Sequence, residues 1–145
     1  MKLNRILVAT RGTAEDNEAV RLACELARKP KAEIYIIYVI EVSRNLPLDA
    51  VVEADIEKAE KILTQVEKIA AQAKYEVQTN IIQSREAGPA IIDEAKDKKV
   101  DLVIMGLPYQ ERYGAFDMGK TVPYVLEEAP CRVILLREPF DKEQI

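Results

Sequence analysis

The chain is predicted to fold as an α/β protein whose single parallel sheet is doubly wound, with helices on both faces. Short, continuous runs of aliphatic residues alternate along the chain with longer segments whose apolar residues recur at helical spacing. Continuous apolar runs are typical of strands that are buried on both faces, as in parallel sheets covered by helices. A length of 145 residues, 48% hydrophobic and 32% charged, is that of one globular domain, and we expect residues 1–145 to form it.

The individual elements follow from the same patterns. Five aliphatic segments predict the strands, which are Arg5–Thr10, Glu33–Val42, Tyr75–Ile82, Asp101–Gly106 and Arg132–Leu136. Helical spacing predicts four helices. The first follows Thr13 and ends at Pro30, the second covers Asp49–Ala73, the third runs from Gly88 to about Lys98, and the fourth begins at Gly119 and has about ten residues. Thr13 is the expected N-cap of the first helix, with Asp16 as its capping-box partner. Leu107–Met118 is expected to be a loop.

The composition excludes several classes of chemistry. The chain has no histidine, so it has no Ser-His-Asp triad, no imidazole acid or base and no histidine metal ligand. Two cysteines are too few for a four-cysteine zinc site. Cys24 and Cys131 lie in apolar patterns, which predicts buried thiols in a reducing compartment. A net charge of −4 with interspersed charges argues against binding to nucleic acid.

The sequence shows no targeting or membrane signal. No apolar leader with a small-residue cleavage site follows the start of the chain, and no apolar run approaches the roughly 18 residues that a bilayer-spanning helix needs. We therefore expect a cytoplasmic protein that does not insert into membranes.

A ligand site is expected at the carboxyl ends of the strands, where open α/β sheets bind their ligands. The loops there are Ala9–Thr13, Val39–Val42 and Gly106–Thr121. In the last of them, Lys120 and Thr121 stand at a predicted helix start, where free N–H groups, a cation and a hydroxyl favour a phosphate. The other interpretation is that the glycine before them only starts the helix and Lys120 is solvated.

Gly114–Thr121 also reads G-x-x-x-x-G-K-T, the pattern of a phosphate-binding P-loop. A P-loop leaves its strand almost at once, whereas Leu107–Tyr113 intervene here between Gly106 and the pattern. The context therefore argues against a P-loop. A slow ATPase that uses Lys120 and Mg²⁺, with Asp117 as a carboxylate, stays open as one hypothesis.

The strand segments and the end of the last helix resemble those of the universal stress protein family. The resemblance covers Arg5 to Arg137, and its markers are Ile6–Thr10, Tyr38–Ile40, Asp101–Gly106, Val125–Leu126 and Ala129–Val133. It implies a five-stranded sheet in the order 3-2-1-4-5. It also implies a homodimer that pairs through the last strand, Arg132–Leu136.

Many members of that family bind ATP or AMP with a glycine pattern, G-x2-G-x9-G-[ST]. Gly106 and Gly119 match its first and third glycines, but Tyr109 replaces the second, and Lys120 takes the Ser/Thr position one residue before Thr121. The resemblance therefore implies an ATP or AMP site, with Mg²⁺ only if ATP is bound. The expected site residues are Ala9, Thr10, Val39, Met105, Gly106, Gly119, Lys120 and Thr121.

A second departure is Arg11, which stands where nucleotide-binding members usually have an acidic residue. Its guanidinium suits a phosphate or another anion, or a salt bridge to a neighbouring carboxylate. The leading hypothesis is a binding and regulatory module of the stress response. In it, a phosphate orders the Gly106–Thr121 loop and so changes the surface shown to a protein partner. The alternative within the family is a dimeric interaction protein without nucleotide, acting through an aromatic and basic loop.

Overall fold

The computed structural model describes residues 2–139; Met1 and residues 140–145 of the predicted domain lie outside that range. The strands are β1 (Arg5–Ala9), β2 (Glu33–Glu41), β3 (Gln78–Ser84), β4 (Leu102–Gly106), β5 (Glu111–Arg112), β6 (Ala115–Phe116) and β7 (Arg132–Leu136). The helices are α1 (Ala14–Arg28), α2 (Glu53–Gln72), α3 (Ala87–Asp97) and α4 (Thr121–Glu128). The main sheet is parallel in the order β3-β2-β1-β4-β7, which confirms the predicted architecture because β7 is its fifth strand.

β1 is the centre of the sheet and separates two apolar layers. Ile6 and Val8 point to the layer formed with α1 and α2, and Leu7 points to the layer formed with α3 and α4. All three side chains are fully buried. This alternation explains why the strand reads as a continuous apolar run, since both of its faces lie in the core.

The start of α1 carries the predicted capping box. The Thr13 hydroxyl accepts a hydrogen bond from the Asp16 N–H at 3.1 Å, and Asp16 Oδ2 accepts one from the Thr13 N–H at 3.4 Å. The two residues thereby satisfy backbone donors that the first turn leaves without helical partners.

Three of the predicted element starts were wrong by two residues or more, and β3 also ends at Ser84 rather than Ile82. β3 starts at Gln78 rather than Tyr75, because the Tyr75 N–H donates to the Ala70 carbonyl at 3.0 Å and Tyr75 completes the end of α2. α2 starts at Glu53 rather than Asp49, after an extended backbone at its N-cap. α4 starts at Thr121 rather than Gly119, whose φ of +69° is outside the helical region.

The segment Leu107–Met118, predicted as a loop, contains the antiparallel hairpin β5–β6. Tyr113 and Gly114 connect its strands with φ values of +54° and +77°, the signature of a type I′ turn. Gly114 is therefore a hairpin residue, and the G-x-x-x-x-G-K-T string does not form the strand-to-helix loop of a P-loop. Within residues 2–139, no helix combines the length and apolar character needed to cross a membrane.

Candidate functional site

A cleft of about 530 Å³, counting the open space at its mouth, lies at the carboxyl ends of β1, β2 and β4. Six of the eight predicted site residues line it, and they are Ala9, Thr10, Val39, Met105, Gly106 and Thr121. The other lining residues are Arg11, Asp16, Ile37, Glu41, Ala87 and Ile91.

The start of α4 lies in an adjoining depression of about 350 Å³, which shares Thr121, Glu41 and Ala87 with the cleft. Lys120 lines this depression, so the structure places it beside the cleft and not in it. Gly119 lines neither space; it precedes the helix with a φ of +69°, and its N–H is engaged by Asp117.

Val39 presents its main chain to the cleft. The Ile37 carbonyl accepts a hydrogen bond from the Thr10 N–H at 2.9 Å, and Ile37 with Ala9 is the last pair of the β1–β2 ladder. Backbone groups two residues apart along a strand point to the same side. The Val39 N–H and carbonyl therefore point toward the cleft beyond the end of β1, where a ligand with donor and acceptor edges can meet them.

Gly106 is a glycine because α1 begins directly above it. A Cβ at this position would stand 2.5 Å from Asp16 Oδ1 and 2.6 Å from both the Asp16 nitrogen and the Glu15 carbonyl carbon. Those distances are shorter than real Cβ contacts, and two of the three atoms belong to backbone. The first glycine of the expected nucleotide pattern thus lets a helix start approach the sheet, a role that sequence reasoning missed.

Asp16 holds the loop between β1 and α1. The residue is buried, and its Oδ2 accepts from the Arg11 N–H at 2.8 Å as well as from the Thr13 N–H. The Thr10 hydroxyl accepts from the Gly12 N–H at 3.1 Å. The wall of the cleft is therefore fixed by side chains that bond its own backbone.

Arg11 carries the unpaired charge on this wall. Its side chain is exposed and forms no ion pair or hydrogen bond with any residue in the range 2–139. Of the interpretations left open for Arg11, the salt bridge to a neighbouring carboxylate does not occur within that range. The guanidinium is available to an anion in the cleft.

Glu41 is the acidic counterpart, and sequence reasoning missed it. It ends β2, lines both the cleft and the adjoining depression, and its Oε2 accepts from the Ala87 N–H at 3.0 Å. The carboxylate thus caps α3, where a negative charge is favoured. Ligands of parallel sheets bind at the carboxyl ends of the strands. A polar residue at the end of β2 is therefore the signal that could have identified Glu41.

The start of α4 has backbone N–H groups without a partner inside the helix. Its N-cap, Lys120, makes no side-chain capping bond, and Pro123 has no N–H. The N–H groups of Thr121 and Val122 therefore have no acceptor within the helix. In contrast, the Gly119 N–H donates to Asp117 Oδ1 at 3.0 Å, so this pair is already engaged.

Tyr109, at the position of the missing second glycine, belongs to the hairpin. Its ring packs on Phe116 with 5.3 Å between centroids. Its hydroxyl donates to the Glu111 carboxylate, which raises the pKa of Tyr109. Arg112 lies over the exposed Tyr113 ring, 5.4 Å from its centroid. The aromatic residues of this segment thus pack on one another and on a basic side chain.

Comparisons with known proteins agree with this architecture. The model of the universal stress protein family matches residues 2–137. A universal stress protein of Methanocaldococcus jannaschii is 28% identical over 141 residues, which cover 93% of this chain and 82% of the relative.

Solved structures share the fold at lower identity. A universal stress protein from Archaeoglobus fulgidus, in complex with dAMP, superposes with a TM-score of 0.74 at 19% identity and covers 94% of this chain and 99% of its own. A universal stress protein in complex with cAMP gives a TM-score of 0.69 at 15% identity, covering 94% and 98%. With the family model matching nearly the whole chain, this protein belongs to the universal stress protein family.

Proposed function

We propose that this chain is a binding and regulatory module of the stress response whose cleft holds an adenine nucleotide. The observation that carries the proposal is the cleft itself, which brings the Val39 main chain, an apolar floor and the open start of α4 into one space. Relatives of the same fold have been solved with dAMP and with cAMP. Both ligands combine an adenine base with one phosphoryl group.

The base fits the cleft beside Val39. Ile37 of β2, Met105 of β4 and Ile91 of α3 give the cleft an apolar surface, and the Val39 N–H and carbonyl face the edge of a bound base. Adenine has both donors and acceptors on its edge, so a main-chain donor and acceptor pair can read it. The phosphate lies toward the N–H groups at the start of α4, with Lys120 and Arg11 as the nearby cations.

The experiment is calorimetric titration of the protein with AMP, cAMP and ATP, repeated with Thr121→Glu. Glutamate is favoured in the first turn of a helix, so the fold should persist while the new carboxylate opposes a phosphate. We expect AMP affinity to fall about tenfold in this variant. Thr64→Glu on the exposed face of α2 is the matched control and should bind as the unmodified protein does. Failure of all three nucleotides to bind the unmodified protein would contradict the proposal.

We further propose a cytoplasmic homodimer that pairs through β7 and presents its surface to a protein partner. β7 lies at the edge of the sheet and pairs only with β4 within residues 2–139, which leaves the backbone groups on its other side for a second strand. Sedimentation velocity should then report a species of twice the mass of the chain. A concentration-independent monomer would exclude this pairing.

The second candidate function is that of an interaction protein of the same family without a nucleotide. The hairpin favours it, because Tyr109 and Phe116 pack on each other where the family pattern has a glycine, and the Gly119 N–H is engaged by Asp117. The calorimetric titration separates the two functions directly.

A further inference from the structure

We propose that the cleft selects adenine nucleotides with a single phosphoryl group and discriminates against the triphosphate. This inference rests on the proposed nucleotide function and concerns the charges around the same site. The observation behind it is a pair of carboxylates at the end of the site where a longer phosphate chain would extend.

Among residues 2–139, one cation and two carboxylates line the depression at the start of α4. Lys120, Glu41 and Glu86 all line it. Glu41 is held in place by the hydrogen bond that it accepts from the Ala87 N–H, and Glu86 is the N-cap residue of α3. The formal charge of this depression is therefore −1, from one lysine against two glutamates.

Among the described residues that line the cleft proper, Arg11 is the one cation. The two carboxylates there already accept hydrogen bonds from the backbone, Asp16 from the Arg11 and Thr13 N–H groups and Glu41 from the Ala87 N–H. Thr121 lines the cleft together with Arg11 and the depression together with Lys120, so a phosphate that contacts the Thr121 N–H can meet both cations. A phosphomonoester with about two negative charges suits that position. The β and γ phosphates of ATP would enter the depression beside Glu41 and Glu86, where like charges repel.

The test measures the affinities for AMP and ATP by calorimetry, with EDTA and again with Mg²⁺, for the unmodified protein and for the double variant Glu41→Gln/Glu86→Gln. The glutamine amide that replaces the Glu41 carboxylate keeps an oxygen that can accept from the Ala87 N–H, so the capping bond survives. We expect ATP to bind about tenfold more weakly than AMP in the unmodified protein, and the difference to shrink to within about threefold in the variant. Glu25→Gln/Glu60→Gln removes the same two charges from exposed helix positions and should leave the difference unchanged.

The outcomes separate the two proposals. Equal affinities for AMP and ATP in the unmodified protein, with or without Mg²⁺, would overturn the selectivity while leaving the nucleotide function intact. A preference for AMP that persists in the double variant, with thermal unfolding showing a folded protein, would overturn the role of Glu41 and Glu86. Absence of binding by every adenine nucleotide would overturn the nucleotide function itself.

Discussion

Gly106 and Asp16 lie so close that a single added methyl group on Gly106 would stand 2.5 Å from the Asp16 carboxylate. The end of β4 and the start of α1 therefore form one packed unit. Because the same carboxylate bonds the Arg11 and Thr13 N–H groups, this contact also sets the position of the cleft wall.

Gly106→Ala should lower the free energy of unfolding by about 2–3 kcal/mol, because overpacking here displaces backbone as well as side chain. Urea unfolding measures the change. Gly114→Ala is the matched control, since its φ of +77° strains alanine although no atom lies within 4 Å of the new Cβ. That variant should lose about 1 kcal/mol. An equal loss in the two variants would contradict the steric explanation.

Thr13→Ala should destabilise the protein by about 1 kcal/mol, because the Asp16 N–H loses its capping acceptor at the start of α1. Thr64→Ala, on an exposed position of α2, should change stability by less than about 0.5 kcal/mol. Urea midpoints for the two variants provide the comparison. The capping role would be refuted by a Thr13 variant as stable as the Thr64 variant.

Arg85→Ala should release the loop between β2 and α2. Arg85 Nη1 donates to the Ser43 carbonyl at 2.6 Å and to the Leu46 carbonyl at 2.9 Å, so one guanidinium holds both ends of the Ser43–Leu46 turn. Hydrogen exchange of residues 43–50 should accelerate about tenfold. Arg44→Ala, which removes an exposed arginine from the same loop, should leave exchange near that of the unmodified protein.

The two thiols should differ in reactivity. Cys24 is fully buried and should react with a thiol reagent only on unfolding. Cys131 is half-buried, and burial together with the Asp101 carboxylate raises its pKa above the ordinary value of 9.0. Since the thiolate reacts, modification of Cys131 should be slow at pH 8 and still accelerate above pH 9.0. A rate that levels off below pH 8 in the Cys24→Ser variant would disprove the raised pKa.

Much of the sheet could be predicted because β1 and β4, at its centre, are buried on both faces, so that each reads as an apolar run. The boundary of β3 could not, because Tyr75 has a high strand propensity but completes the end of α2 instead. Element type follows from local pattern, whereas boundaries depend on which backbone partners tertiary packing supplies.

The candidate site was predictable in part for a similar reason. Topology alone brings Ala9, Val39 and Met105 together at the carboxyl ends of their strands. Gly106 contacts the start of α1 and Glu41 contacts the start of α3. These contacts depend on how the two helices approach the strand ends, and no local sequence pattern encodes them. The hairpin was missed because Tyr113 stands where type I′ turns usually place Asn, Asp or Gly.

The hairpin β5–β6 changes what a ligand at α4 must do. A disordered connection would lose conformational entropy when a phosphate orders it, and binding would be weaker by that cost. Here the antiparallel pairing and the packing of Tyr109 on Phe116 already restrict the segment. A ligand that binds at the start of α4 therefore meets a segment that its own contacts already restrict, so ordering that segment weakens binding little.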